Sequence, residues 1–115
     1  MHATCIGQGQ PQRVRVLARF RSSGIFTVDP INHSMTVMVV LERLRLPPEL
    51  ESAFKHWVHV FGDLPDNPTS VHVRKLNEIG RTLARDLKAH LGAKSHVEYQ
   101  MMTMMGVEGT IEPIR

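Results

Sequence analysis

The stretch TSVHVRKLNEIGRTLARDLKAHLG, residues 69–92, predicts a long helix that lies on a sheet. Thr69 or Ser70 can cap its first turn, and Gly92 is a typical residue at which to end it. Gly80 lies on the apolar side and costs the helix roughly 1 kcal/mol relative to alanine, which predicts a close approach by another element. The apolar residues recur at spacings of three and four and so form one stripe: Val73, Leu76, Ile79, Leu83, Leu87 and Leu91.

A second amphipathic helix is predicted before this one. Pro47 and Pro48 favour a helix start, because proline suits the first helical turn, and Gly62 favours an end. Trp57 lies at the centre of the apolar stripe, and we interpret it as a core anchor. The stripe consists of Leu50, Ala53, Phe54, Trp57, Val58 and Phe61.

Extended segments lie on both sides of the helices. Residues 13–21 (RVRVLARFR) alternate, which predicts a half-buried strand with an arginine face. A short strand at 25–28 follows the turn Ser22-Ser23-Gly24. Residues 35–41 (MTVMVVL) are apolar in both phases and predict an inner strand. Residues 96–105 predict a last strand, and residues 106–115 an irregular tail.

The element order β-β-β-α-α-β favours an α+β fold. We expect a small two-layer sandwich, with a mixed or antiparallel sheet of three to four strands and two amphipathic helices on one face. A single domain over residues 13–115 is predicted to follow a flexible N-terminal tail, residues 1–12, because the tail has no burial pattern.

Composition narrows the class of protein. The chain has 115 residues, is 42% hydrophobic and carries 14 Lys+Arg against 11 Asp+Glu, so it can bury a core and is not typical of a disordered protein. Its one cysteine cannot form an internal disulfide. No run of about 18 apolar residues and no signal-peptide pattern is present. We therefore expect a cytoplasmic protein that makes no membrane contact.

Several motifs, in this order, resemble a group of small uncharacterised bacterial α+β proteins. They are SSGIF at 22–26, LPPEL at 46–50, NEIGRTLARDL at 77–87, LG at 91–92 and VEY at 97–99. The resemblance covers roughly residues 13–99, and residues 101–115 extend past the point at which such chains usually stop. Some proteins of this kind are associated with toxin-immunity or accessory loci. The resemblance implies a binding role and carries over no catalytic residue.

Motifs for catalysis or metal binding are missing from the sequence. There is no CxxC pair, HExxH motif or carboxylate cluster, and Cys5 lies in the predicted tail. His56 and His59 have a spacing that could hold a metal, but both lie opposite the apolar stripe, and we interpret them as solvated. The sequence predicts a protein that is not an enzyme and has no catalytic residue, cofactor or metal.

A basic stripe on the second predicted helix is a candidate partner-binding surface. Its residues lie within roughly 60 degrees of one another on a helical projection: Arg74, Arg81, Arg85 and Lys88. Such a stripe fits an acidic protein surface or a nucleic-acid backbone. The other interpretation is a solvated face, partly neutralised by Glu78 and Asp86.

Four methionines near the C-terminus form a second candidate surface. Met101, Met102, Met104 and Met105 cannot all point into one core, because side chains alternate along a strand. The strand is therefore either an edge that pairs with another subunit or a buried central strand. We expect Met102 and Met104 to contact a second copy in a homodimer.

These features lead to two functional hypotheses. The first is a non-catalytic protein-interaction protein, similar to an immunity or inhibitor protein, whose partner is another protein. The alternative is a nucleic-acid-associated accessory protein that uses the basic stripe. A continuous basic surface joining Arg15 and Arg19 to Arg81 and Arg85 would favour the alternative.

Overall fold

A computed structural model of the chain describes residues 12–65, 67–103 and 108–115. The predicted α+β class is confirmed, as are both helices. The predicted flexible tail lies outside the described residues except for Gln12, the first residue of β1. In chain order the elements are β1 (Gln12–Val16), β2 (Ile25–Val28), β3 (Thr36–Met38), a 3-10 helix (Leu41–Leu44), α1 (Pro48–Gly62), α2 (Ser70–Leu91), β4 (Ser95–Met102) and β5 (Glu108–Ile114).

The five strands form one mixed sheet in the order β3-β2-β1-β4-β5. β1 and β4 are parallel, whereas the other three pairings are antiparallel. A parallel pair needs a crossover connection. Here the crossover includes α1 and α2, which lie together on one face of the sheet.

The sheet has more strands than predicted, because β5 replaces the expected irregular tail. β5 pairs with β4 from Val97↔Ile114 to Met102↔Glu108, with a register shift between Gln100 and Met102. Gly109 and Pro113 made this segment look unlike a strand in the sequence. Both residue types are unfavourable inside a sheet, but proline is tolerated on an edge strand such as β5.

The prediction of an inner strand at residues 35–41 is wrong. Only Thr36–Met38 is a strand, and in the described part of the chain it has a neighbour on one side, β2. The chain then leaves the sheet, and the 3-10 helix buries Leu41 and Leu44 in the core. The apolar run is therefore divided between β3 and the 3-10 helix. β1 is also shorter than expected and ends at Val16.

The core lies between the helices and the facing side of the sheet. Trp57 is 1% exposed, and its indole N–H donates to the carbonyl oxygen of Leu76 at 3.0 Å, which confirms it as a core anchor. The ring centroids of Trp57 and Tyr99 are 6.2 Å apart. Side chains from both layers complete the cluster, among them Val14, Val16, Ile25, Phe54, Leu83, Leu87 and Val97.

Gly80 is the point of closest approach between α2 and its surroundings. A Cβ atom at this position would lie 2.5 Å from Cε1 of Tyr99 and 2.7 Å from Cζ2 of Trp57. Both distances are shorter than any van der Waals contact. The predicted close approach at Gly80 is thus confirmed, and both the sheet and α1 take part in it.

Both ends of α2 agree with the sequence. Thr69 caps the N-terminus: its hydroxyl accepts from the backbone N–H of His72, whose ring nitrogen accepts from the backbone N–H of Thr69. Gly92 is the C-cap residue. Neither helix in the described residues is long and apolar enough to cross a membrane.

Asn77 joins α2 to the end of β4. Its side-chain oxygen accepts from the hydroxyl of Tyr99 at 2.6 Å and from the backbone N–H of Met102 at 2.9 Å, and its amide donates to the Met102 carbonyl at 3.0 Å. Tyr99 is fully buried. Burial raises the pKa of the Tyr99 phenol well above its ordinary value of 10.0, although the nearby Arg81 opposes the shift.

We expect alkaline pH to ionise Tyr99 only when the protein unfolds. Because the folded pKa is raised, this group's contribution to stability is complete below its ordinary pKa of 10.0 and declines as the pH rises above that value. The chain has one tyrosine and one tryptophan, so tyrosinate absorbance and Trp57 fluorescence each report one site. The two signals should change together in one cooperative transition. Tyrosinate that forms gradually while Trp57 fluorescence stays native would contradict this expectation.

Candidate functional site

The face of the sheet opposite the helices carries a groove of about 670 Å³. Because side chains alternate along a strand, Val14 and Val16 face the helices whereas Arg13 and Arg15 face the groove. Glu98 lies beside Arg15 in the parallel register of β1 and β4. We call this surface the arginine groove. Its other lining residues include Arg19, His33 and Ser34 towards β2 and β3, and Ile111 and Pro113 on β5.

Glu98 lies in the floor of the groove and binds the two arginines beside it. Its side chain is 1% exposed, and its two carboxylate oxygens accept from Nε of Arg13 at 2.8 Å and from Nε of Arg15 at 2.5 Å. Arg15 is itself buried, whereas the Arg13 side chain is 35% exposed. His96 Nε2 lies 3.9 Å from the same carboxylate. One buried acid therefore holds two arginines side by side.

The β2–β3 connection forms the wall next to Arg13 and Arg15. The Asp29 carboxylate accepts from the backbone N–H groups of Ile31 and Asn32 at 2.8 and 2.9 Å, which lowers its pKa. Nη2 of Arg15 donates to the carbonyl oxygen of His33 at 3.1 Å. The Asp29 bonds lie within the loop, and the Arg15 bond attaches the loop to the floor of the groove.

Arg19 connects the groove to the edge of the sheet. Its guanidinium carbon lies 4.9 Å from the centroid of the Phe26 ring, which is a cation–π geometry. Its Nη1 donates to Oγ1 of Thr36 on β3 at 3.2 Å. Arg19 thus places a positive charge beside the strand that ends the sheet.

The groove suits an anion more than it suits a catalytic step. Arg13, Arg15 and Arg19 line it, and Arg13 and Arg15 share the carboxylate of Glu98, the acid that lines the groove among the described residues, so Arg13, Arg15 and Glu98 together carry one excess positive charge. Arginine presents a planar set of donors that matches carboxylate and phosphate groups. Ile111 and Pro113 add apolar surface at the opposite end.

β3 and its flanks form a second surface, the apolar edge. Five of the nine large apolar side chains that are exposed among the described residues fall within ten positions. The most exposed of these is Ile31, at 94%. Apolar groups concentrated in this way mark contact surfaces more often than isolated ones do. The five residues are Ile31, Met35, Val37, Met38 and Val40.

The predicted basic stripe on α2 is divided by internal contacts. Arg81 forms an ion pair with Glu112 of β5, and Nζ of Lys88 donates to the Ser95 carbonyl oxygen at 2.5 Å. Arg74 and Arg85 are exposed. Since α2 covers the face of the sheet opposite the arginine groove, the two basic surfaces are separated by the sheet.

The methionine segment is a central strand, which is one of its two predicted alternatives. β4 lies between β1 and β5, and Met102 is half-buried and packs against the core. Met104 lies outside the described residues. Among the described residues, the sheet ends at β3 on one side and at β5 on the other.

His56 and His59 of α1 are both exposed, as their position opposite the apolar stripe predicts. His59 Nε2 lies 3.2 Å from Asp63, its neighbour one turn later. Within residues 12–65, 67–103 and 108–115, no three or more His, Cys, Asp or Glu side chains come together as metal ligands would.

Sequence reasoning missed Glu98 and the apolar edge. Glu98 alternates with the buried Val97 and Tyr99 and therefore shares a face with Arg15 if the strands are neighbours. That pairing is parallel and joins residues 83 apart, so alternation alone could not reveal it. The signal for the apolar edge was the two-faced apolar run at 35–41, which we assigned to the interior.

Comparison of the chain with protein-family models, with curated proteins and with solved structures finds no match.

Proposed function

We propose that this chain is a non-catalytic protein-interaction protein, similar to an immunity or inhibitor protein, that holds an extended segment of another protein along β3. The observation that carries the proposal is the apolar edge. An edge strand with exposed apolar side chains is a template for a further strand, and proteins normally cover or interrupt such an edge. The motif resemblance, which implies a binding role, agrees with this proposal.

The hydrogen-bond pattern identifies the backbone groups that would receive the partner. The Asp29 N–H donates to the Met35 carbonyl and the Val39 N–H to the Ile25 carbonyl, both at 2.9 Å. The backbone groups of Met35 and Val39 therefore point towards β2. In an antiparallel pair the intervening residues point the other way, so Thr36 and Met38 direct their N–H and C=O groups outwards.

The charges beside β3 define the chemistry of the partner. Arg19 lies against Thr36. Arg43 and Arg45 follow the strand in exposed positions, and the neighbouring acid is Glu42. An added strand would meet these arginines with carboxylates on one face and the exposed Val37 with apolar side chains on the other face. We infer a partner segment that alternates apolar and acidic residues, bound by strand addition.

A short synthetic peptide that alternates valine with glutamate tests this proposal. It should bind, whereas the same peptide with lysine in place of glutamate should bind at least about tenfold more weakly, because like charges then face each other. Methylation of the peptide nitrogens that face β3 should abolish binding. Methylation of the alternate nitrogens should leave it intact. Fluorescence anisotropy of a labelled peptide provides the measurement.

Met38→Pro offers a test on the protein itself. It removes one outward N–H and leaves the β2 ladder in place, since proline is tolerated at such edge positions. Val71→Ser is the matched control, because Val71 is a 56% exposed apolar residue on α2. We expect Met38→Pro to lose peptide affinity and Val71→Ser to keep it. Equal binding of the acidic and basic peptides would overturn the proposal.

A second copy of the chain is the competing occupant of the apolar edge. Sedimentation equilibrium separates the two cases. A dimer that Met38→Pro converts to a monomer would assign the edge to self-association and count against the heterologous partner. The homodimer predicted through Met102 and Met104 stays a prediction, and it would persist in the Met38→Pro variant.

Nucleic-acid binding through the basic helix face is the alternative function. Arg74 and Arg85 are exposed and support it, but Arg81 and Lys88 are held by contacts within the chain. Two results would favour this alternative. The affinity for generic duplex DNA should fall steeply with salt, and binding should be lost when Arg74→Glu and Arg85→Glu are combined.

A further inference from the structure

We propose that the arginine groove is a binding site for a small organic anion, with the carboxylate or phosphate group of the ligand on Arg13 and its apolar part on Ile111 and Pro113. This site adjoins the apolar edge at Arg19. The residues proposed to contact the ligand are not those of the edge, so the proposal does not depend on the proposed function. Its volume of about 670 Å³ falls within the range of small-molecule sites.

The electrostatic argument begins with the charge that Glu98 leaves uncompensated. The Glu98 carboxylate accepts from Nε of both Arg13 and Arg15, and Arg15 also donates to the backbone of His33. Arg15 is thus used within the protein. Arg13 is the more exposed of the two: its Nε donates to Glu98 and its Nη1 lies beside His33, which leaves Nη2 as the donor for a ligand.

The geometry of Arg13 is fixed before any ligand arrives. A free arginine side chain must lose rotamer entropy when it binds an anion. The bond between Arg13 Nε and Glu98 has already limited this freedom, and Nη1 lies 3.3 Å from Nε2 of His33. A preorganised donor of this kind increases affinity because less ordering remains to be done on binding.

The opposite end of the groove determines what else the ligand carries. Ile111 is 43% exposed and Pro113 is also exposed, and both lie on the groove side of β5, in register with Gln100 and Glu98. An inorganic anion would leave this surface uncovered. An anion with an aliphatic portion would bury it, which favours an amphipathic ligand over a free phosphate ion.

A homologous series of straight-chain carboxylates, from acetate to hexanoate, tests the proposal by isothermal titration calorimetry. Affinity should rise with chain length by up to about fourfold per methylene, the value for full burial of that group. The corresponding alkyl phosphates test which head group is preferred, and inorganic phosphate tests whether the apolar part is needed. The matching alcohols should not bind. Weak binding of every anion with no dependence on chain length would overturn the proposal.

Three variants assign the site to its residues. Arg13→Gln should reduce carboxylate affinity by about tenfold or more, because a hydrogen bond to a charged group is lost. Arg13→Lys retains the charge without the planar donor set and should therefore keep only part of the wild-type carboxylate affinity. Ile111→Ser should flatten the dependence on chain length and leave acetate binding unchanged.

Folding and specificity have their own controls. Circular dichroism and Trp57 fluorescence show whether each variant keeps the native structure, and Ile111→Ser tests the groove even if Arg13→Gln is unstable. Lys75→Gln removes one exposed positive charge on α2 and should leave every affinity unchanged. If Lys75→Gln weakens binding as much as Arg13→Gln, the attraction is a general effect of net charge, and the groove is not the site.

Discussion

Replacing Glu98 by alanine is expected to destabilise the fold by about 3–5 kcal/mol, because it leaves the buried Arg15 without its partner. The melting temperature should fall by roughly 10–20 °C. Urea denaturation followed by Trp57 fluorescence measures the change, since Trp57 is the only tryptophan. The loss has an electrostatic origin, so replacing both charged residues at once should recover much of it.

Two further proteins test that origin. The double variant Arg15→Met with Glu98→Leu removes both buried charges and should be more stable than Glu98→Ala. Glu112→Ala breaks the Arg81–Glu112 pair, whose side chains are 27% and 39% exposed, and should cost no more than about 1 kcal/mol. If Glu98→Ala costs no more than Glu112→Ala, the buried pair does not contribute to stability in the way proposed.

Gly80→Ala is expected to destabilise the protein by about 1–3 kcal/mol or more, although alanine is the better helix former. The added methyl group would lie 2.5 Å from the ring of Tyr99 and 2.7 Å from that of Trp57, and both rings are fully packed in the core. Either α2 must move away from the sheet or both rings must shift. Thermal unfolding by circular dichroism provides the measurement.

Gly62→Ala is the matched control for that prediction. Gly62 is also a helical glycine, but the atom closest to its added Cβ, at 2.9 Å, belongs to Phe20. Phe20 is 70% exposed and can rotate away. We therefore expect Gly62→Ala to be neutral or slightly stabilising. Similar losses in both variants would show that the effect does not come from the contact with Tyr99 and Trp57.

The helices were predictable because their signals are local. Pro48 and Gly62 mark the two ends of α1, and Thr69 and Gly92 mark those of α2, each through chemistry within one turn of the helix end. The apolar stripes also identify the side of each helix that meets the sheet, although Ile79 of the predicted α2 stripe is 41% exposed.

The strands at the edges were harder to predict, because their patterns depend on neighbours. β5 contains Gly109 and Pro113, and its strand conformation comes from pairing with β4. The apolar run at 35–41 indicates burial by composition, yet β3 lies at an edge that the helices do not cover. Where a strand lies in a sheet is a tertiary property.

The arginine groove was predictable only in part. The alternation of residues 13–21 identifies one face with arginines, and Arg13 and Arg15 share that face. The burial of Arg15 could not be predicted, because its partner, Glu98, lies 83 residues away in the sequence. Nothing local to either residue indicates the pairing.

The parallel pairing of β1 with β4 also constrains how the chain reaches its native state. β1 lies at the centre of the sheet, yet one of its two neighbours is β4, which follows both helices in the chain. Contacts between residues so distant in sequence form slowly, because a long loop must close first. During synthesis, β1, β2 and β3 would leave the ribosome long before Glu98, so Arg15 would have no counter-ion and the central strand no second neighbour. We therefore expect the N-terminal half to reach its native arrangement only after β4 has been synthesised.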